Sequence, residues 1–283
     1  MTSMLNMWSA NSLAQEIQSR FFTASDGIRM HYLEAGTGAQ TLAFIPGWLM
    51  PAAVFNKQIE ELSKTYRVVV LDPRSQGQSA VAPGSHSPER RVKDIQEWLN
   101  AAKVSDFVLI GWSLGVLESL DFLTRYPTRG LKGLVLIDNS IGVGKPPGGG
   151  SPKFVETMRD DVKREAYLRK FANGLYRSPP PPTISKAVLD SALRAPPEAA
   201  IQLLQQPYPR TYWRDAVYRQ TVPVLYAVTP KFREQASILQ QNRDSALVTT
   251  DIYEKAGHAL FVDEPDRFNR SVLELAAKAF THN

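Results

Sequence analysis

The sequence predicts an α/β fold, and two observations carry that prediction. Short apolar runs of strand length alternate with stretches that repeat apolar residues at helical spacing. One of the runs, Phe107–Ile110, leads into Gly111-Trp112-Ser113-Leu114-Gly115 and then into a helical pattern over Val116–Arg125. G-x-S-x-G alone occurs by chance, but a buried strand entering it and a helix leaving it describe a turn that exposes a serine hydroxyl. The glycines at 111 and 115 remove the β-carbons that would collide where strand and helix cross.

The other elements follow in order. Phe21–Ala24 and Ile28–Glu34 flank the turn signal Ser25-Asp26-Gly27 and read as an antiparallel hairpin. Thr41–Ile45 is a buried strand that ends in Pro46-Gly47-Trp48, and Ala53–Leu62 is helical, with Phe55, Ile59 and Leu62 on one face. Arg67–Leu71 is the next strand. Pro88–Lys103 places Val92, Ile95, Trp98, Leu99 and Ala102 on a helical face before the serine-bearing turn. Leu131–Ile137 is a strand ending in Asp138-Asn139-Ser140. Composition then changes: Gly142–Pro152 is rich in glycine and proline, and a run of four prolines follows Ser178. Helical patterns at Phe154–Gly174, Thr183–Arg194 and Glu198–Gln206 accompany them, so 143–216 reads as an inserted helical cap rather than a loop. Val222–Val228 and Leu247–Tyr253 resume the strands around a helix at Phe232–Gln241, and a last helix begins at Asp266. The expected organisation is an extension over 1–20, a core over 21–142 and 217–283, and the cap between its two parts.

Composition narrows the function classes. The 283 residues are 43% hydrophobic and hold no cysteine, which excludes disulfides, thiolate metal sites and a cysteine nucleophile. The formal charge of +5 comes from scattered Lys and Arg with no basic block, so a solvated surface is expected rather than a nucleic-acid partner. No apolar run is long enough for a membrane span, and the first residues lack the pattern of a signal peptide, which leads to a cytoplasmic expectation. Met4, Leu5, Trp8 and Leu13 through Ile17 suggest an amphipathic stretch that packs on the body or on another subunit. The oligomeric state stays open, with a homodimer among the options.

From about residue 20 to about 280 the chain resembles the α/β-hydrolase family, within it the small serine esterases and the cofactor-free perhydrolases. That resemblance implies a mostly parallel sheet of about eight strands flanked by helices, with an optional cap after the sixth strand. Asp72-Pro-Arg-Ser-Gln-Gly-Gln-Ser79 is similar to the family's D-x-R-G-x-G-x-S turn, with Ser75 in place of a glycine. Asp72 and Arg74 are expected to hold that loop together. Ser113 is the implied nucleophile. His258, on the loop between the last strand and the last helix, is the implied base; His31, His86 and His282 sit at a strand, a polar loop and the terminus. The oxyanion hole is expected from the backbone amides of Trp48 and Leu114. Pro46 stands where relatives keep a histidine, but a backbone N–H is what the function needs.

An imidazole that accepts the serine proton needs a carboxylate to orient it and stabilise the cation. Most relatives place that acid after the strand before the last, where this chain has Thr229-Pro230-Lys231 and no carboxylate. A minority place it directly after strand six, which points to Asp138. Glu234, Asp244 and an acid-free Ser–His pair are the alternatives.

With serine at 113, carboxylate-nucleophile chemistry is disfavoured and acyl transfer remains, with no metal or organic cofactor. The expected substrate is a small apolar or aryl ester, held by Leu49, Trp112, Leu260 and Phe261 and by aromatics such as Phe171, Tyr208, Tyr212 and Trp213, about half of them core packing. Two other classes stay open: a perhydrolase or cofactor-free haloperoxidase-like activity, and a non-catalytic small-molecule receptor on the same scaffold.

Overall fold

The computed structural model describes residues 16–126, 129–146, 153–244 and 246–281. Of the amphipathic stretch expected from Met4 to Ile17 only Glu16 and Ile17 are among them, Ile17 packing against the core, and the glycine run at 148–150 and His282 lie outside. Eight strands form one sheet: β1 (Gln18–Thr23), β2 (Arg29–Ala35), β3 (Gln40–Ile45), β4 (Arg67–Asp72), β5 (Asp106–Trp112), β6 (Leu131–Ile137), β7 (Val224–Val228) and β8 (Val248–Ile252). Their spatial order is β1-β2-β4-β3-β5-β6-β7-β8. The β1–β2 hairpin and the β2–β4 pair are antiparallel, and every other pair is parallel.

The apolar strands are buried on both faces because side chains alternate across a sheet. On β4, Val68 and Val70 enter one core cluster while Val69 and Leu71 enter the other; β5 divides Val108 and Ile110 from Phe107 and Leu109 in the same way. Helices α1 (Asn56–Leu62) and α11 (Pro265–Thr281) cover the first face through Ile59, Leu62, Phe268 and Val272. Helices α2 (Pro88–Ala101) and α3 (Leu114–Arg125) cover the second through Val92, Ile95, Trp98, Val116 and Leu120. Each such side chain contributes about 1.5–3 kcal/mol on burial. Helix α2 starts where Ser87 Oγ accepts the Arg90 amide and Pro88 occupies the first turn.

Between β6 and β7 lie α4 (Phe154–Arg159), α5 (Asp161–Asn173), α6 (Pro182–Arg194), α7 (Pro197–Leu203) and α8 (Arg210–Tyr218). The single helical pattern expected over Phe154–Gly174 is two helices. Asp160 breaks it and caps the second, its carboxylate accepting the Lys163 amide at 3.0 Å. Helices α4–α7 rest on the loops that follow β3, β4 and β8. Ser191 Oγ donates to Leu49 O at 2.8 Å and accepts from Gly77 N at 2.8 Å, Trp48 Nε1 donates to Ala200 O at 2.9 Å, and Ala259 N donates to Leu175 O at 2.8 Å. Helix α8 behaves differently: Trp213, Ala216 and Val217 join the cluster under α3. After β7 comes α9 (Arg233–Asn242), and the short α10 (Leu260–Asp263) precedes α11. Among the described residues no helix is long and apolar enough to cross a membrane.

Candidate active site

Ser113 stands between β5 and α3 with φ 54° and ψ −118°, a left-handed conformation rare for a residue with a β-carbon. The turn is held where Ser113 N donates to Ile137 O at 2.9 Å and Asn139 Nδ2 donates to Ser113 O at 2.7 Å. Close approach explains both glycines. A β-carbon at 111 would come 2.3 Å from Gly115 O, and one at 115 would come 2.3 Å from Ile45 O at the end of β3.

The structure brings Ser113, His258 and Asp138 together. Ser113 Oγ is 2.8 Å from His258 Nε2, and His258 Nδ1 is 2.7 Å from Asp138 Oδ2. The histidine loop is fixed from beneath by Trp112, whose indole N–H donates to His258 O at 2.9 Å. Asp138 follows β6, is buried, and has φ 47°. Its second oxygen, Oδ1, accepts from both Thr229 N and Thr229 Oγ1 at 2.7 Å. The loop after β7 thus carries a donor pair aimed at the carboxylate of the loop after β6. Glu234, at the start of α9, lies beside Gly144, and Asp244 accepts the Ala246 amide; neither contacts His258.

The loop after β3 passes directly over the serine. A β-carbon on Gly47 would stand 3.0 Å from Ser113 Cβ. The amides of Trp48 and Leu114 have no hydrogen-bond acceptor among the described residues, as expected for the first amide of a helix at Leu114. The loop is fastened by Met50 N to Gly47 O at 3.1 Å, by the Leu49 amide donating to the Gln76 side chain, and by Ser191 on Leu49 O.

Leu49, Trp112, Leu260 and Phe261 are wholly buried, so they pack beneath the site instead of lining a pocket. Phe55 stacks on Phe261, and Trp112 meets the same ring edge-on. Tyr208, Tyr212 and Trp213 cluster with one another, Tyr212 donating to Asp121 at 2.5 Å, away from the site; Phe171 alone of the expected aromatics lines the cavity beside His258. That cavity, of about 820 Å³, is bounded by Tyr167, Phe171, Leu175 and Tyr176 on one side and by Thr229, Pro230, Lys231 and the His258 loop on the other. Sequence reasoning misses Thr229 and Asn139 as partners of Asp138 and Ser113, since nothing in their local pattern distinguishes them from ordinary loop residues.

The Asp72 turn is structural. Asp72 takes His31 Nδ1 at 2.7 Å, Gln78 N at 2.7 Å and the Ala52 amide, and buried Arg74 pairs with Asp94 at 2.5 Å and Asp26 at 2.9 Å. Ser75, where relatives carry glycine, has φ 63°; its hydroxyl meets His86 Nε2 at 2.8 Å and accepts Ala82 N at 3.0 Å.

Comparisons with known proteins agree with this architecture. Human serine hydrolase BPHL is 32% identical over 111 residues, 37% of this chain and 38% of that protein. The 2-hydroxy-6-oxononadienedioate/2-hydroxy-6-oxononatrienedioate hydrolase of Paraburkholderia xenovorans is 28% identical over 182 residues, 60% of this chain and 56% of that protein. The chain therefore spans 38% and 56% of the length of these two curated relatives. The solved structure of an esterase from Exiguobacterium antarcticum superposes with a TM-score of 0.77 at 22% identity, covering 92% of this chain and 100% of the other, and so shares the fold. The description "Alpha/beta hydrolase family" matches residues 42–271, and the chain belongs to that family.

Proposed function

We propose that the protein is a serine hydrolase that cleaves carboxylic esters through an acyl-enzyme. The observation that carries this reading is the unbroken hydrogen-bond chain from Ser113 Oγ through His258 to Asp138. In the proposed reaction Ser113 Oγ attacks the ester carbonyl while His258 Nε2 takes its proton. The tetrahedral oxyanion is held by the amides of Trp48 and Leu114, which cost no reorganisation because the loop and the turn are already fastened. His258 returns the proton to the departing alkoxide, and a water activated by the same imidazole releases the acid. Asp138 keeps the imidazole in the tautomer that leaves Nε2 free and stabilises the cation when it forms. Helices α4–α7 act as a cap over this centre and give it an apolar wall in Tyr167, Phe171 and Leu175. The human relative's description as a serine hydrolase fits this reading.

The test is ester hydrolysis with 4-nitrophenyl acetate and butyrate. The wild-type protein should turn over, and Ser113→Ala should lose about 10⁴- to 10⁶-fold in kcat while keeping its fold by circular dichroism. Turnover retained in Ser113→Ala contradicts the proposal, and no turnover by the wild type favours a receptor on the same scaffold.

A further inference from the structure

The cavity beside His258 is apolar along one wall and cationic at three points. Lys170 lies near the end of α5, Arg177 follows that helix, and Lys231 comes from the loop after β7, so the charges enter from two separate segments of chain. Their lack of partners sets them apart from their neighbours. On the same inserted helices Arg159, Lys163, Arg164, Arg169 and Lys186 each have a carboxylate within 4 Å, at Glu198, Glu156, Asp161, Glu165 and Asp190. Lys170, Arg177 and Lys231 have none among the described residues; Lys231 has only the Phe232 ring, 5.2 Å from its ammonium.

The carboxylates nearby are committed elsewhere. Asp138 is taken by His258 and Thr229. Asp263 accepts the backbone amides of Arg177 at 3.0 Å, Ser178 at 3.3 Å and Gly257 at 2.8 Å, which leaves it tying the loop after α5 to the histidine loop. Lys170, Arg177 and Lys231 are exposed at the edge of the cavity, and three cations against the one carboxylate of its lining, Asp138, leave a net positive potential that attracts an anion and weakens with salt. The uncharged ester expected from the sequence rests on Leu49, Trp112, Leu260 and Phe261, which the fold buries.

We infer that the preferred substrate is an ester that also bears a carboxylate, its apolar body against Tyr167, Phe171 and Leu175 and its anionic end met by Lys170, Arg177 and Lys231. This deepens the ester-hydrolase reading and rests on it for the word ester, but the recognition of the anion is separable from catalysis. The test therefore has a binding arm on Ser113→Ala and a turnover arm on the intact protein.

Two matched pairs, each differing in one charge, place that charge at either end of the ester: 4-acetoxybenzoate against the isosteric 4-acetoxybenzamide, and 4-nitrophenyl hydrogen suberate against its methyl ester. Titration calorimetry on Ser113→Ala should show the anionic member of at least one pair binding about tenfold tighter at low salt, with the advantage shrinking as ionic strength passes 0.15 M. The advantage should collapse to about twofold or less when Lys170→Met, Arg177→Met and Lys231→Met are combined in Ser113→Ala. The same ratio of kcat/KM should appear in turnover by the protein with Ser113 intact. Equal affinity within both pairs overturns the inference, as does an anion preference that survives the triple substitution. Failure of the ester-hydrolase reading has a different signature, because then none of the four esters is turned over, and the calorimetric ratio still decides the anion site.

Discussion

Asp138 meets His258 through one oxygen, while the other takes two hydrogen bonds from Thr229. A carboxylate held at both ends cannot swing, and hydrogen bonds to a charged group are worth about 1.5–3 kcal/mol each. Asp138→Asn should therefore keep the geometry yet favour the wrong imidazole tautomer, lowering kcat on an aryl ester by about 10³- to 10⁴-fold. Glu234→Gln should be nearly silent in the same assay; the reverse ranking would remove Asp138 from the mechanism. Thr229→Val, which keeps the amide donor and loses the hydroxyl, should cost about tenfold in kcat with little change in KM. That Asp138 faces His258 was legible because the sequence offers no carboxylate at 229–231 and one directly after β6. Its support by Thr229 was not, since that contact joins residues 91 apart in the chain and no local pattern records it. His86 gives a separate pH prediction. Burial, with Arg74 and Arg91 nearby, pushes its pKa down from 6.5 to about 4. The stability tied to the neutral ring is fully present above pH 6.5 and is lost as pH falls toward 4, on the order of 3 kcal/mol in all. His86→Asn should flatten urea-measured stability across that window, and an unchanged slope would contradict the assignment.

At the scale of elements, periodicity reads the sheet well and the inserted helices less well. Strands such as β4 and β5 are continuous apolar runs because both faces are covered, and the strand, turn and helix around Ser113 stand where the local pattern places them. The segment from Phe154 misleads for a physical reason. Phe154, Met158 and Val162 are four apart, yet the break at Asp160 changes the phase, leaving Met158 buried and Val162 80% exposed. Helix α8 carries no signal that separates it from the helices before it, and only its packing on α3 does so. The loop after β3 makes the sharpest prediction at this scale. Gly47→Ala would set a methyl 3.0 Å from Ser113 Cβ and 3.4 Å from the Trp112 ring. The loop must shift by a few tenths of an ångström, which misaims the proposed Trp48 donor, so kcat should fall about 10- to 100-fold while KM changes little. A mainly KM effect would mean that the loop shapes binding and does not hold the oxyanion.

Across the whole molecule, the proposed cap touches the loops at the ends of β3, β4 and β8, and Asp263 fastens the loop after α5 to the histidine loop. Asp263→Ala should loosen that fastening, so trypsin should cut after Arg177 about tenfold faster while cleavage between Thr41 and Gly115 stays slow. Acceleration spread evenly over the chain would mean that Asp263 stabilises the entire fold. Topology of this kind was legible as a family resemblance, whereas pocket chemistry was legible only at Phe171: Leu49, Trp112, Leu260 and Phe261, the apolar neighbours of the implied site residues, are buried, and the cavity is walled by residues from 167–177 and 229–231. The proposed acyl transfer requires a covalent intermediate at Ser113. The most direct measurement is intact-protein and peptide mass spectrometry after rapid acid quench of the protein with excess 4-nitrophenyl butyrate. Under the proposed acyl transfer a butyryl adduct forms on the Ser113 peptide, falls sharply in His258→Ala, which loses the base for acylation as well as for release, and is absent in Ser113→Ala. Hydrolysis at full rate with no adduct at Ser113, or an equal adduct in Ser113→Ala, would contradict it.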